Sequence, residues 1–203
     1  DLAPQKPSSN DGKFRVLTAG SLIRVKGFGL AIRAFQKFAE RYPESEFTIV
    51  GAGPEEPRLQ DLAARGPASS KVKFTGALPR EQLMSDMADS DVFLFPSLRD
   101  GGGTVVIEAM AAGKPVICLD NGGPGMHINE ECGLKITPES PQQAVFDIAN
   151  ALEELYENAE RRAELGKSAR KRAEELYLWD KLGDRLRDIY NKAFNQKDSA
   201  STD

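Results

Sequence analysis

The sequence predicts an α/β fold: a Rossmann-like, doubly wound parallel sheet of about six strands with extra helices at its C-terminal end. Three observations predict it. From Phe14 onward, short apolar runs alternate with segments of helical periodicity. The run Asp91–Phe95 is apolar without alternation, as expected of a strand buried on both faces. Strand–helix repetition at this spacing calls for a parallel sheet covered on both sides.

Each element has its own signal. Phe14–Ala19 is a strand-like run that stops at Gly20. Phe28, Ile32, Phe35 and Phe38 or Ala39 then recur at helical spacing. Glu46–Val50 is a second strand, closed by Gly51, and Glu55–Arg65 a short helix with Pro57 in its first turn. Lys71–Thr75 is the third strand, and Arg80–Ala88 a helix with Pro79 near its start. After the strand Asp91–Phe95 comes the helix Thr104–Ala112, stopped by Gly113. Pro115–Leu119 and Gly133–Ile136 complete the strands. The chain from Pro141 to about Phe194 reads as helical, broken near Gly166 and near Trp179, and its last helix is expected to pack back toward a partner domain. Residues 1–12 read as a linker, 13–194 as the folded domain and 195–203 as a frayed tail.

Composition excludes several classes. With 40% hydrophobic and 29% charged residues, the chain is neither wholly disordered, nor collagen-like, nor a disulfide-framed mini-protein. Its 203 residues suit one domain, or one and a fraction, at about 150 residues each. The 27 Lys+Arg against 31 Asp+Glu carry the wrong balance for a nucleic-acid binder. No apolar run approaches the roughly 18 residues of a membrane span, and the start has no signal-peptide layout. The chain begins at Asp1 without Met, which points to a fragment or a processed chain. Cys118 and Cys132 read as reduced, packed thiols of a cytoplasmic protein, since zinc wants more ligands than these two and the single His127 supply.

In such sheets ligands bind outside the carboxyl ends of the strands, so the turns there carry the functional reading. The turn Pro96–Thr104 sets Gly101, Gly102 and Gly103 at the mouth of a helix, with Asp100 before and Glu108 one turn into it. Close backbone approach and free first-turn amides make an anion site. Taken locally, the same residues also fit a tight turn with Asp100 as a helix-dipole partner. The turn Gly20-Ser21-Leu22-Ile23-Arg24-Val25-Lys26 holds two cations, which alone read as solvated. Gly51-Ala52-Gly53 begins like a dinucleotide fingerprint, but Glu56 stands where its third glycine would fall, so it reads as a tight turn lining a cleft. Asp89-Ser90-Asp91 matches the D-x-D pattern of metal-dependent transferases yet precedes its strand, at the wrong end of the sheet. His127 reads as a polar loop residue near the cleft.

These turns, in this order, resemble the C-terminal half of a GT-B glycosyltransferase of family 4 (group 1). The segments GSLIRVKGFGLAIRAF, FTIVGAGPEEPRL, VKFTGALPREQL and DVFLFPSLRDGGGTVVIEAMAAGKPVIC carry the resemblance, with the late YLWDKLGDRLRDIY. The fourth is similar to the family's Glu-x7-Glu signature followed by EAMAxGxPV. The resemblance implies a donor-binding domain working with an N-terminal acceptor-binding domain of the same parent chain, retention of anomeric configuration, a nucleotide-diphosphate sugar as donor, and no metal or other cofactor. It implies that Lys26 neutralises the diphosphate, that Asp100 contacts the sugar and that Glu108 holds the ribose hydroxyls. Gly102, Gly103, Thr104 and Val105 would cap the sugar and diphosphate, Gly20, Ser21, Arg24, Gly51 and Gly53 would line the donor cleft, and Leu78 would meet the base.

Two positions depart from the family: Ser21 stands where it usually has Arg, and Asp100 where it has Glu. Both bear on the donor rather than the fold. The reading is thus a hexosyltransferase half that is inactive alone, located in the cytoplasm, with any membrane contact made through the other half. The alternatives are a non-catalytic sugar-nucleotide-binding module and a sugar-nucleotide epimerase-like domain.

Overall fold

Six strands and eight helices alternate through residues 12–200, which are the residues described by the computed structural model. The strands are β1 Phe14–Ala19, β2 Ser45–Val50, β3 Val72–Gly76, β4 Val92–Phe95, β5 Val116–Leu119 and β6 Gly133–Ile136. All pair in parallel, in the order β3-β2-β1-β4-β5-β6. The helices are α1 Phe28–Arg41, α2 Glu56–Ala64, α3 Arg80–Asp89, α4 Thr104–Ala111, α5 Gly123–His127, α6 Pro141–Glu157, α7 Ala159–Leu176 and α8 Trp179–Ala200. The chain therefore builds outward from β1 in one direction, then returns to build from β4 in the other. The crevice between β1 and β4 is the switch point of the sheet, where ligands sit in folds of this kind.

The strands feed two cores. Val16, Leu94 and Ile117 face the core built with α1 and α6, while Leu17, Phe93 and Cys118 face the one built with α4 and α7. The alternation follows from the period of two along a strand. The helical stripe of α1 is fully used: Ile32 and Phe35 are wholly buried and Phe28 and Phe38 nearly so. Each large side chain buried there contributes about 1.5–3 kcal/mol. Cys118 and Cys132 are free and buried. Burial pushes the Cys118 thiol up to about 12 and raises that of Cys132, so both stay protonated packing groups. No helix among the described residues is long and apolar enough to cross a membrane.

Several boundaries differ from expectation by a residue or so, and some differences are larger. The helical C-terminal stretch does not break at Gly166, which lies buried inside α7. It breaks at Asn158, whose side chain accepts from the Arg161 amide at 2.8 Å and caps α7. Gly166 is there for closeness: a Cβ would drive into the Gly113 carbonyl oxygen. The short helix α5 was not anticipated, nor was the 3-10 turn Arg24–Lys26. Asp91 lies just before β4 rather than in it. Finally, α8 runs to Ala200, so the frayed tail expected from Asn195 is helix over Asn195–Ala200. The expected linker, apart from Gly12, and residues 201–203 lie outside the described residues.

Candidate functional site

At the switch point the turns after β1 and β4 meet. Leu98 donates its amide to the Val25 carbonyl at 2.8 Å, which brings the two turns side by side. The turn after β2 joins from the other side: Leu22 donates to the Ala52 carbonyl at 2.9 Å, and a Cβ on Gly53 would collide with the Leu22 backbone. Gly51 and Gly53 thus serve the packing of one turn against another, as the tight-turn reading expected.

This junction delivers Lys26 to Asp100. The Lys26 ammonium forms an ion pair with Oδ2 of Asp100, and it also lies 5.7 Å from the centroid of the Phe95 ring. The other carboxylate oxygen of Asp100 accepts from the amides of Gly102 at 3.0 Å and Gly103 at 2.8 Å. Burial pulls the Asp100 carboxyl upward, but the Lys26 bond and these two amides outweigh it and hold it below the usual carboxylate range. Gly103 enters α4 at φ +55°, a conformation that disfavours any side chain. Thr104 and Val105 follow as the first helical residues, whose amides have no partner within the helix. An anion binding here would therefore meet the Lys26 ammonium, the positive end of α4 and a loop whose first amides are already engaged by Asp100.

Glu108 lies on the same helix, one turn beyond Thr104. It is half-buried and ion-paired with Arg80, the first residue of α3. Sequence reasoning missed Arg80, although it stands just past Leu78, in the turn already expected to meet a base. Leu78 itself packs partly against the second core. Ser21 and Arg24 are exposed on the turn after β1.

The remaining motifs fall elsewhere. Asp91 accepts from the Arg15 amide at 2.7 Å and pairs with Arg162 at 3.8 Å, at the amino end of the sheet. The D-x-D pattern is thus structural, as expected. His127 does reach the glycine loop: its Nε2 is 2.7 Å from the Gly102 carbonyl oxygen and its Nδ1 is 2.7 Å from the Tyr177 hydroxyl. An open cleft of about 830 Å³ runs along β6 and α6, lined by groups such as Lys135, Glu139 and Asp147. It flanks the sheet rather than its switch point and gathers none of the expected site residues, so the charges at the β1–β4 crevice mark the better candidate.

The family model described as glycosyl transferases group 1 matches residues 1–172. The chain is 31% identical, over 83% of its length, to the GDP-mannose-dependent monoacylated alpha-(1-6)-phosphatidylinositol monomannoside mannosyltransferase of Corynebacterium glutamicum, covering 44% of that protein. The pneumococcal O-GlcNAc transferase GtfA, solved with UDP and GlcNAc, superposes with a TM-score of 0.78 at 21% identity, over 94% of this chain and 38% of that one. The C-terminal domain of the group 1 glycosyl transferase LpcC from Francisella tularensis gives a TM-score of 0.74 at 22% identity, over 83% of this chain and 88% of that one. The chain spans less than half the length of the first curated relatives it matches.

Proposed function

This chain belongs to the group 1 glycosyl transferases, and we propose that it forms the donor-binding half of a retaining hexosyltransferase acting on a nucleotide-diphosphate sugar. The acceptor would be held by an N-terminal domain of a longer parent chain working in the cytoplasm. The observation that carries this reading is the convergence of Lys26, Asp100 and the glycine loop across the β1–β4 crevice.

The chemistry follows from charge. When the bond from the anomeric carbon to phosphate breaks, its electron pair leaves on the diphosphate. Lys26 and the first turn of α4 would stabilise that charge without a divalent cation. To admit the donor, the Asp100 carboxylate would release Lys26 and turn toward the sugar hydroxyls. Glu108 would exchange Arg80 for the ribose hydroxyls. The C. glutamicum relative is GDP-mannose-dependent by name, which makes a GDP-sugar the first donor to try. The partner domain is supported by α8, whose Trp179, Leu186, Ile189, Tyr190 and Phe194 leave an exposed apolar stripe.

A second reading is a binding module without catalysis. One observation favours it: in this structure the anion seat of the glycine loop is filled by Asp100 itself. Calorimetric titration of the chain with GDP, UDP and ADP tests both readings, because each requires one of them to bind. No binding to any of the three sinks the site assignment. Sugar transfer by the parent chain, lost in Lys26→Ala, separates the enzyme from the module.

A further inference from the structure

We propose that His127 is a positioning residue for donor binding: it holds the Gly102 carbonyl and thereby aims the Gly103 amide at the candidate diphosphate site. The proposal rests on the reading of that loop given above.

The glycine loop is pinned from one side by α5 and the residues that open it. The Gly123 amide donates to the Asp100 carbonyl at 3.0 Å, and His127 Nε2 lies 2.7 Å from the Gly102 carbonyl oxygen. A Cβ on Gly103 would stand 3.1 Å from Pro124 and 3.5 Å from the His127 ring, so the loop rests on both. A carbonyl can only accept, so Nε2 carries the hydrogen, and in the neutral ring Nδ1 accepts from the Tyr177 hydroxyl. The ring is itself held: it meets Tyr177 edge-on at 5.1 Å, and the Arg172 guanidinium donates to the His127 carbonyl at 2.8 Å. Arg172 lies near the C-terminal end of α7 and Tyr177 directly follows it, so a distant helix sets the orientation of the imidazole.

Peptide geometry turns this anchor into an effect on the site. The Gly102 carbonyl and the Gly103 N–H belong to one planar trans unit and point in opposite directions. Holding the oxygen toward His127 therefore turns the N–H the other way, where it now meets the Asp100 carboxylate on the Lys26 side. Three glycines in succession leave the loop little stiffness of its own, so it needs an external anchor.

The experiment compares wild type, His127→Phe, His127→Gln, His127→Asn and Tyr177→Phe by amide hydrogen exchange over residues 101–105 and by titration with GDP and UDP. Gln can place an N–H donor near the Nε2 position. Asn places its amide near Nδ1, out of reach of Gly102. In His127→Phe and His127→Asn the Gly103 amide should exchange faster and nucleotide affinity should fall about tenfold, while His127→Gln should stay within about threefold of wild type. Tyr177→Phe should fall between them. The proposal is overturned if His127→Phe and His127→Asn match wild type in both measurements. It is equally overturned if His127→Gln loses as much as His127→Phe, which would make the effect one of packing. Wild type binding neither nucleotide defeats the functional reading and the role in donor binding together, and the exchange data then decide the anchoring alone. Should His127→Phe not fold, His127→Asn against His127→Gln makes the same comparison.

Discussion

Lys26 and Asp100 stand 74 residues apart in the chain, and the ammonium of one is paired with the carboxylate of the other across the crevice between β1 and β4. Their side chains are 21% and 13% exposed, so the pair is shielded without being dry. A bound diphosphate would exchange one anion for another at the same cation, which makes Asp100 both a neighbour of the donor and its competitor.

Lys26→Ala should weaken nucleotide-diphosphate binding by about tenfold or more, since a charge-assisted contact is lost. Asp100→Asn should do the reverse for the nucleotide without its sugar. With the competing charge gone, affinity for GDP or UDP should rise about threefold, read by calorimetry. An Asp100→Asn variant that binds the bare nucleotide more weakly than wild type would contradict this competition.

The same pair predicts a pH dependence. The Asp100 carboxyl is held below its ordinary 3.8, so its folded-state pKa is depressed. Its stabilising contribution is then fully present above the ordinary value and is lost as pH falls through the folded pKa. At neutral pH, Asp100→Asn should lower the melting temperature by about 2–4 °C, corresponding to about 1 kcal/mol. That gap should persist through pH 5 and close only in more acid solution. A gap that closes already between pH 7 and 5 would mean that the Asp100 carboxyl is not held below its ordinary value.

Glu108 and Arg80 divide differently. The Arg80 side chain is 73% exposed, so Arg80→Ala should change stability by less than about 1 kcal/mol. Glu108→Gln should weaken nucleotide binding by about tenfold. If the carboxylate holds the ribose, removing the sugar's 2′-hydroxyl should weaken binding to wild type and have little further effect on Glu108→Gln. Equal losses in both proteins would detach Glu108 from the ribose.

Gly166→Ala tests the packing of α7. The added methyl meets the Gly113 backbone, which cannot swing away like a flexible side chain. A cost of about 2–4 kcal/mol is expected, seen as a fall of at least about 5 °C in the thermal midpoint. A neutral result would show that α7 can shift along the sheet.

Removing residues 178–203 takes away α8, whose apolar residues from Trp179 to Phe194 are largely exposed. The melting temperature should change by less than about 2 °C, and self-association should fall. A large loss of stability would mean that the stripe is part of the core.

The sheet was legible in the sequence because each strand is written locally. Phe14–Ala19 and Gly133–Ile136 match β1 and β6 end to end, and β4 announces its double burial by an unbroken apolar run. Glycine is a poor helix former, yet tertiary contact with Gly113 demands a residue without a side chain at Gly166, inside α7. Asn158, three residues ahead of Arg161, was the local signal for the true break. Helix α5 hid in a run of Gly122, Gly123, Pro124 and Gly125, whose composition says loop, and packing against the Asp100–Gly103 turn makes it a platform.

By itself the sequence determined the order of the strands and of the longer helices, the two-sided burial of the sheet, and which turns lie at its carboxyl edge. These follow from periodicity and turn chemistry, which act over a few residues. Only the tertiary structure decided the partners: Lys26 with Asp100, Glu108 with Arg80, and His127 between Tyr177 and Gly102. Those pairings depend on where the sheet reverses its winding and on how closely its turns pack. Residues 25 to 74 apart are then brought together by a geometry that no local pattern encodes.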